Sequence, residues 1–162
     1  MLNLGEAGLI EHIKSVGLYR SKAKHVMELA AQLCQKYGDS AGSVDFSVFS
    51  IEKLGKFPRT REEFMELSGV GRKTANVVLA EAFGEQRIAV DTHVFRVANR
   101  IGIVSADNVL DTELGLQRAV PRDNWTKLHH ALIWHGRRVC AARRPDCENC
   151  CILSLCKRNG VK

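Results

Sequence analysis

No apolar run in this chain approaches the roughly 18–20 residues that a membrane-spanning helix needs. The first residues, Met-Leu-Asn-Leu-Gly-Glu-Ala-Gly, lack the basic start and apolar core of a secretory signal. No apolar–polar alternation of the kind that marks a strand persists beyond a few residues. No cysteine has an obvious distant partner, so a disulfide framework is not suggested. Acidic residues are scarce in one region only. Residues 1–116 carry 14 basic and 15 acidic side chains, whereas 117–162 carry 10 and 3, a local balance of +7. These absences predict a soluble, intracellular, all-α protein whose C-terminal part suits a polyanion. A solvated basic tail would give the same charge count.

Helical signals fill most of the 162 residues. Ala23, Val26, Met27, Ala30, Leu33, Cys34 and Tyr37 fall at helical spacing and predict an amphipathic helix over 21–37, stopped by Gly38, with Cys34 in the core. Thr60 and Glu63 form a capping-box pattern for a helix over 61–67. A helix over 71–83 is stopped by Gly84. Asp91 is placed to cap a helix running to Arg100, with Gly102 beyond it. Two more helices are expected, from Asp107 to Val120 and over 123–138. Residues 39–56 read as a loop with a helical turn. Two parts are expected, 1–85 and 86–162.

Gly69-Val70-Gly71-Arg72-Lys73 is the segment richest in chemistry. Glycines at a tight turn let another backbone approach closely. The N–H groups that open the following helix form an anion site suited to a phosphodiester. An ordinary helix–helix turn would look the same. Ser15–Ala23 repeats the Val-Gly turn and lysine-alanine helix start with one glycine fewer, and is read mainly as packing. Lys73 lies in the first helical turn, where the dipole, and any burial, disfavours a cation. A lysine amine can attack C1′ of a deoxynucleotide, expel the base and leave an imine. A surface lysine touching phosphate is the plainer alternative. Asp91 could take a proton or stabilise positive charge on the sugar, or serve simply as a cap.

Five of the six cysteines lie between Cys140 and Cys156. Cys140, Cys147, Cys150 and Cys156 make a compact set able to hold zinc or an iron–sulfur cluster. A single C-x2-C knuckle favours a 4Fe–4S cluster. Cys151 adjoins Cys150, and either could complete the set. A loop tethered at Cys140 and Cys147 would present Arg143 and Arg144 to phosphate.

Together Leu67–Ala75, Asn76–Leu79, Ala89–Arg100 and the 6, 2, 5 cysteine spacing resemble the endonuclease III family, DNA glycosylase/AP lyases of the helix–hairpin–helix superfamily. The likeness runs from about residue 6 to 157. It implies an all-α fold of two helical domains, the second carrying a 4Fe–4S cluster held by Cys140, Cys147, Cys150 and Cys156. It implies Lys73 as nucleophile and Asp91 as its acidic partner, while the hairpin and loop readings above place Gly69, Val70, Gly71, Arg72, Arg143 and Arg144 on DNA. The implied activity is removal of oxidised pyrimidines from double-stranded DNA and cleavage at abasic sites. The related adenine-specific branch lacks this lysine. A monomer without membrane attachment is expected, at the bacterial nucleoid in the cytoplasm or, in a eukaryote, in the nucleus or mitochondrion. Family members carry a further N-terminal stretch with a Leu-Leu-Ser-x-Gln-x-x-Asp segment. Its absence here, with an apparent insertion over 40–56, raises the alternative of a DNA-binding remnant with a structural metal cluster and impaired catalysis.

Overall fold

A computed structural model describes residues 2–37 and 57–161. Gly38 as a helix stop, and the loop and insertion expected over 39–56, lie outside the described residues. Among the described residues all regular structure is helical. The chain divides into two compact units, Met1–Ala75 and Asn76–Lys162. The division falls inside a helix, whereas the sequence-based boundary at 85 lies just past that helix's end.

In the first unit α1 (Gly5–Ile13) packs against α2 (Tyr19–Tyr37). Leu9 and Ala23 are buried there. Cys34 is exposed, contrary to the expectation of a core residue. It has the right helical phase, but among the described residues α1, with 9 residues against 19 in α2, does not extend along the whole of that helix. A short helix α3 (Arg61–Met65) follows, opened by the expected capping box. Thr60 Oγ1 accepts from the Glu63 N–H at 3.2 Å, and Glu63 Oε2 accepts from the Thr60 N–H at 3.0 Å. Phe64 is buried on this helix, with Phe57 edge-on at 6.0 Å. The turn after α3 is tied to α2. Gln32 Oε1 accepts from the Ser68 N–H at 2.7 Å, and Glu28 takes the Ser68 hydroxyl at 2.5 Å.

Helix α4 (Arg72–Phe83) spans the division. The second unit continues with α5 (Thr92–Ile101), α6 (Val109–Ala119) and α7 (Trp125–Arg138). Its core joins Ile88, Val94, Val97, Leu116 and Leu132, and α5 is the central element, packed on both α6 and α7. Burying a Val or Leu side chain contributes about 1.5–3 kcal/mol, so the Val94–Val97 face of α5 anchors the unit. Gly102 ends α5 at φ +85°, a left-handed cap that any Cβ would strain. Helix α6 is capped by Asn108 rather than starting at Asp107. Asn99 Oδ1 accepts from the Ala106 N–H at 2.8 Å just before it. A single 3₁₀ turn over Arg122–Asn124 precedes α7.

Candidate functional site

The hairpin of the first unit puts Gly69, Val70, Gly71, Arg72 and Lys73 within one tight turn between α3 and α4. The Val70 N–H donates to Leu67 O at 3.1 Å, and Gly69 takes φ +74°. A Cβ at Gly69 would lie 2.8 Å from the Cβ of His25, so both backbone and space require glycine. Gly69→Ala is therefore expected to cost about 1–3 kcal/mol, read as a lowered melting temperature. At Gly71 a Cβ would meet nothing within 4 Å, which leaves open space beside the N-terminus of α4. The first N–H groups of a helix have no intrahelical acceptor. Lys73 is exposed in the same turn, so burial adds nothing to its reactivity.

The other hairpin, between α1 and α2, departs from a packing role. Leu18 adopts φ +59° and is 82% exposed. Val16 beside it is exposed as well. A γ-branched residue held in the left-handed region with its side chain in solvent is strained at the cost of burial, a combination found at functional sites. The sequence offered only a Val-Gly turn as signal, and that turn does not reveal where the leucine points.

In the second unit Asp91 caps α5 through one oxygen. Oδ1 accepts from the N–H groups of His93 and Val94, both at 2.8 Å. Oδ2 lies 3.2 Å from His93 Nδ1. Burial raises the Asp91 carboxyl, but the Val94 and His93 N–H groups and the His93 ring outweigh it, and the net shift is downward. Asp91 is thus held as an anion with a fixed direction, a poor proton acceptor and a good stabiliser of positive charge. The segment that leads to it is itself pinned. Asn76, fully buried on α4, donates from Nδ2 to Ile88 O at 3.0 Å. Lys73 belongs to the first unit and Asp91 to the second.

Cys140, Cys147, Cys150 and Cys156 line one pocket, walled by apolar groups of Ile101, Val139, Pro145 and Leu153. Cys151 is exposed and turned away from it. All four lining cysteines are free of disulfides. The Arg158 N–H approaches Cys156 Sγ at 3.4 Å, and Arg100 Nη1 approaches Cys140 Sγ at 3.5 Å. Among the described residues no three His, Cys, Asp or Glu side chains are close enough to hold a single metal ion. Four cysteines around one pocket supply the donor type that both zinc and iron–sulfur sites use.

Arg96 and Arg100, one turn apart on α5, hold the loop that follows α7. Arg96 Nη2 donates to Gly136 O at 2.9 Å and to Cys140 O at 3.1 Å. Arg100 donates to the carbonyls of Ala141 and Ala142, each at 2.8 Å. Spacing alone assigns these arginines no role, because an i, i+4 pair on a helix reads as surface charge. Arg143 and Arg144 are exposed on the loop they hold.

Comparison with known proteins agrees with this architecture. Residues 1–122 match the model of the HhH-GPD superfamily of base excision DNA repair proteins. Endonuclease III of Bacillus subtilis (strain 168) is 46% identical over 155 residues, which cover 95% of this chain and 63% of that protein. Endonuclease III of Escherichia coli (strain K12) is 41% identical over 157 residues, 97% of this chain and 67% of that one. The chain thus spans about two thirds of the length of these relatives. A solved structure of a trapped endonuclease III–DNA covalent intermediate is 42% identical, with a TM-score of 0.81 over 97% of this chain and 67% of its own. A non-covalent endonuclease III–DNA complex gives the same TM-score of 0.81. The chain belongs to the HhH-GPD superfamily of base excision DNA repair proteins, on its endonuclease III side.

Proposed function

We propose that this chain is a DNA glycosylase/AP lyase that removes oxidised pyrimidines from duplex DNA and cleaves the strand at the resulting site. The observation that carries the reading is the exposed Lys73 in the first turn of α4, with open space at the neighbouring Gly71, in a fold shared with a trapped covalent DNA intermediate.

In this mechanism the N–H groups after Gly71, with Arg72, grip a phosphate and set the register on the backbone. The damaged nucleotide leaves the stack. The Lys73 amine attacks C1′, the C1′–N bond breaks, and the base departs with the electron pair and takes a proton. The Asp91 carboxylate offsets the positive charge that grows on the sugar. The amine loses a proton, the ring opens, and an imine joins Lys73 to C1′. Loss of a C2′ proton then expels the 3′-phosphate by β-elimination. Leu18 supplies the apolar wedge that fills the space left by the flipped base, a role for which an exposed leucine on a strained turn is suited. Leu18→Ala is expected to lower excision of a damaged base about tenfold or more while cleavage at a preformed abasic site falls much less, measured as single-turnover rates on the two duplexes.

The four cysteines would hold a 4Fe–4S cluster whose contribution is structural: it would tie the loop that carries Arg143 and Arg144 to α5 and α7. Iron and acid-labile sulfide analysis of anaerobically purified protein should find both, and Cys147→Ser should lose them. Zinc without sulfide would overturn the cluster. The protein would act as a monomer on chromosomal DNA, at the bacterial nucleoid or in a eukaryotic nucleus or mitochondrion. Duplexes carrying one thymine glycol, one abasic site or no lesion test the activity. Cleavage of the first two alone is expected, and cleavage of the abasic duplex alone would reduce the chain to a lyase.

A further inference from the structure

Helix α7 turns one face away from the core of the second unit. Lys127, His130, Trp134 and Arg137 recur along it at intervals of three or four residues, Arg138 lies one turn beyond Trp134, and all are exposed. The opposite face buries His129, Leu132 and Gly136. Trp134 is 51% exposed. The other of the two tryptophans, Trp125, is packed against the core and donates its Nε1–H to Val120 O at 2.9 Å. The Arg138 guanidinium lies 4.5 Å from the Trp134 ring centroid, and that of Arg137 lies at 5.9 Å. An acidic group near this face, Glu81, is engaged by His130 Nε2 at 2.8 Å. From residue 117 onward the chain carries 10 basic and 3 acidic side chains.

We propose that this face binds single-stranded nucleic acid, with an unpaired base stacked on Trp134 and the flanking phosphates on Arg137 and Arg138. The guanidinium groups rest over the indole in the free protein and move onto the flanking phosphates as a base takes their place against the ring. Base–aromatic stacking beside a basic track is how sequence-blind single-strand sites are built. A duplex hides the faces of its bases, and a convex helix surface cannot reach them. An acidic peptide would pair with the guanidinium groups and leave the ring without a partner. Lys73, Asp91 and the cysteine pocket take no part, so the proposal stands apart from the lyase reading.

The test is a fluorescence titration of the full chain with a short oligo(dT), with poly-glutamate as the competing polyanion. Oligo(dT) should quench tryptophan emission, with affinity falling as salt rises. Trp134→Ala should weaken oligo(dT) about tenfold and remove the quenching, with affinity for an abasic duplex unchanged. Trp134→Phe, which keeps an aromatic face, should recover most of the loss. Circular dichroism checks that each variant is folded. Oligo(dT) bound by Trp134→Ala as tightly as by wild type would overturn the proposal. So would poly-glutamate that competes with oligo(dT) at equal charge, or an equal loss of duplex affinity, which would make Trp134 part of a general DNA face.

Discussion

Lys73→Ala is expected to lower strand cleavage at an abasic site by roughly a thousandfold or more while leaving duplex affinity within a few-fold of wild type. The size follows from the proposed chemistry. Without the amine no imine forms, and β-elimination loses the group that makes the C2′ proton acidic. A thousandfold is about 4 kcal/mol of barrier, far above what one exposed phosphate contact supplies. The split between rate and affinity is the informative part. The anion site at the start of α4 is made of backbone N–H groups, which the substitution keeps. If Lys73 only touched phosphate, affinity would fall and the rate at saturation would not. Single-turnover cleavage and equilibrium binding on the same abasic duplex separate the two.

Asp91→Asn is expected to slow base excision by about a hundredfold or more and to change stability by less than about 0.5 kcal/mol, because Asn caps a helix as well as Asp. Asp91→Ala should lose the cap too, at about 1 kcal/mol. Comparing the two variants divides charge from capping at one position. The pH dependence has a definite sign. The folded-state value of Asp91 lies below its ordinary 3.8. Its contribution to stability is therefore present above that value and fades as pH falls through the lower, folded-state one. Above pH 5 it remains an anion, and no acid limb of the rate profile should belong to it. An acid limb that disappears in Asp91→Asn would show Asp91 working as the proton acceptor instead.

The parts of this protein that were legible in its sequence depend on neighbours along the chain. The Thr60–Glu63 box, the Asp91 cap and the Gly102 stop are each settled within four residues, and the structure places all three as the spacing predicts. The cysteine spacing likewise confines four thiols to one short loop, and all four line one pocket. What spacing could not decide depends on contacts across the fold. Cys150 and Cys151 are equivalent in sequence, and only the turn of the loop puts one in the pocket and the other in solvent. Cys34 has core phase, yet it is exposed among the described residues. Helix α6 opens one residue past Asp107, where the Asn108 side chain takes the Asp111 N–H at 2.9 Å. Arg96 and Arg100 hold carbonyls more than 40 residues away. Leu18 was hidden for the opposite reason: its side chain packs on little, and exposure of an apolar residue leaves no periodic signal.

The central claim is that the hairpin lysine forms a covalent bond to the sugar. Borohydride added during reaction with a thymine-glycol duplex reduces an imine to a stable amine, and peptide mapping then locates it. The account predicts one adduct per chain, on Lys73, formed on abasic DNA as well and absent from Lys73→Ala. An adduct on another lysine, or cleavage of the damaged duplex with no adduct at all, would contradict it.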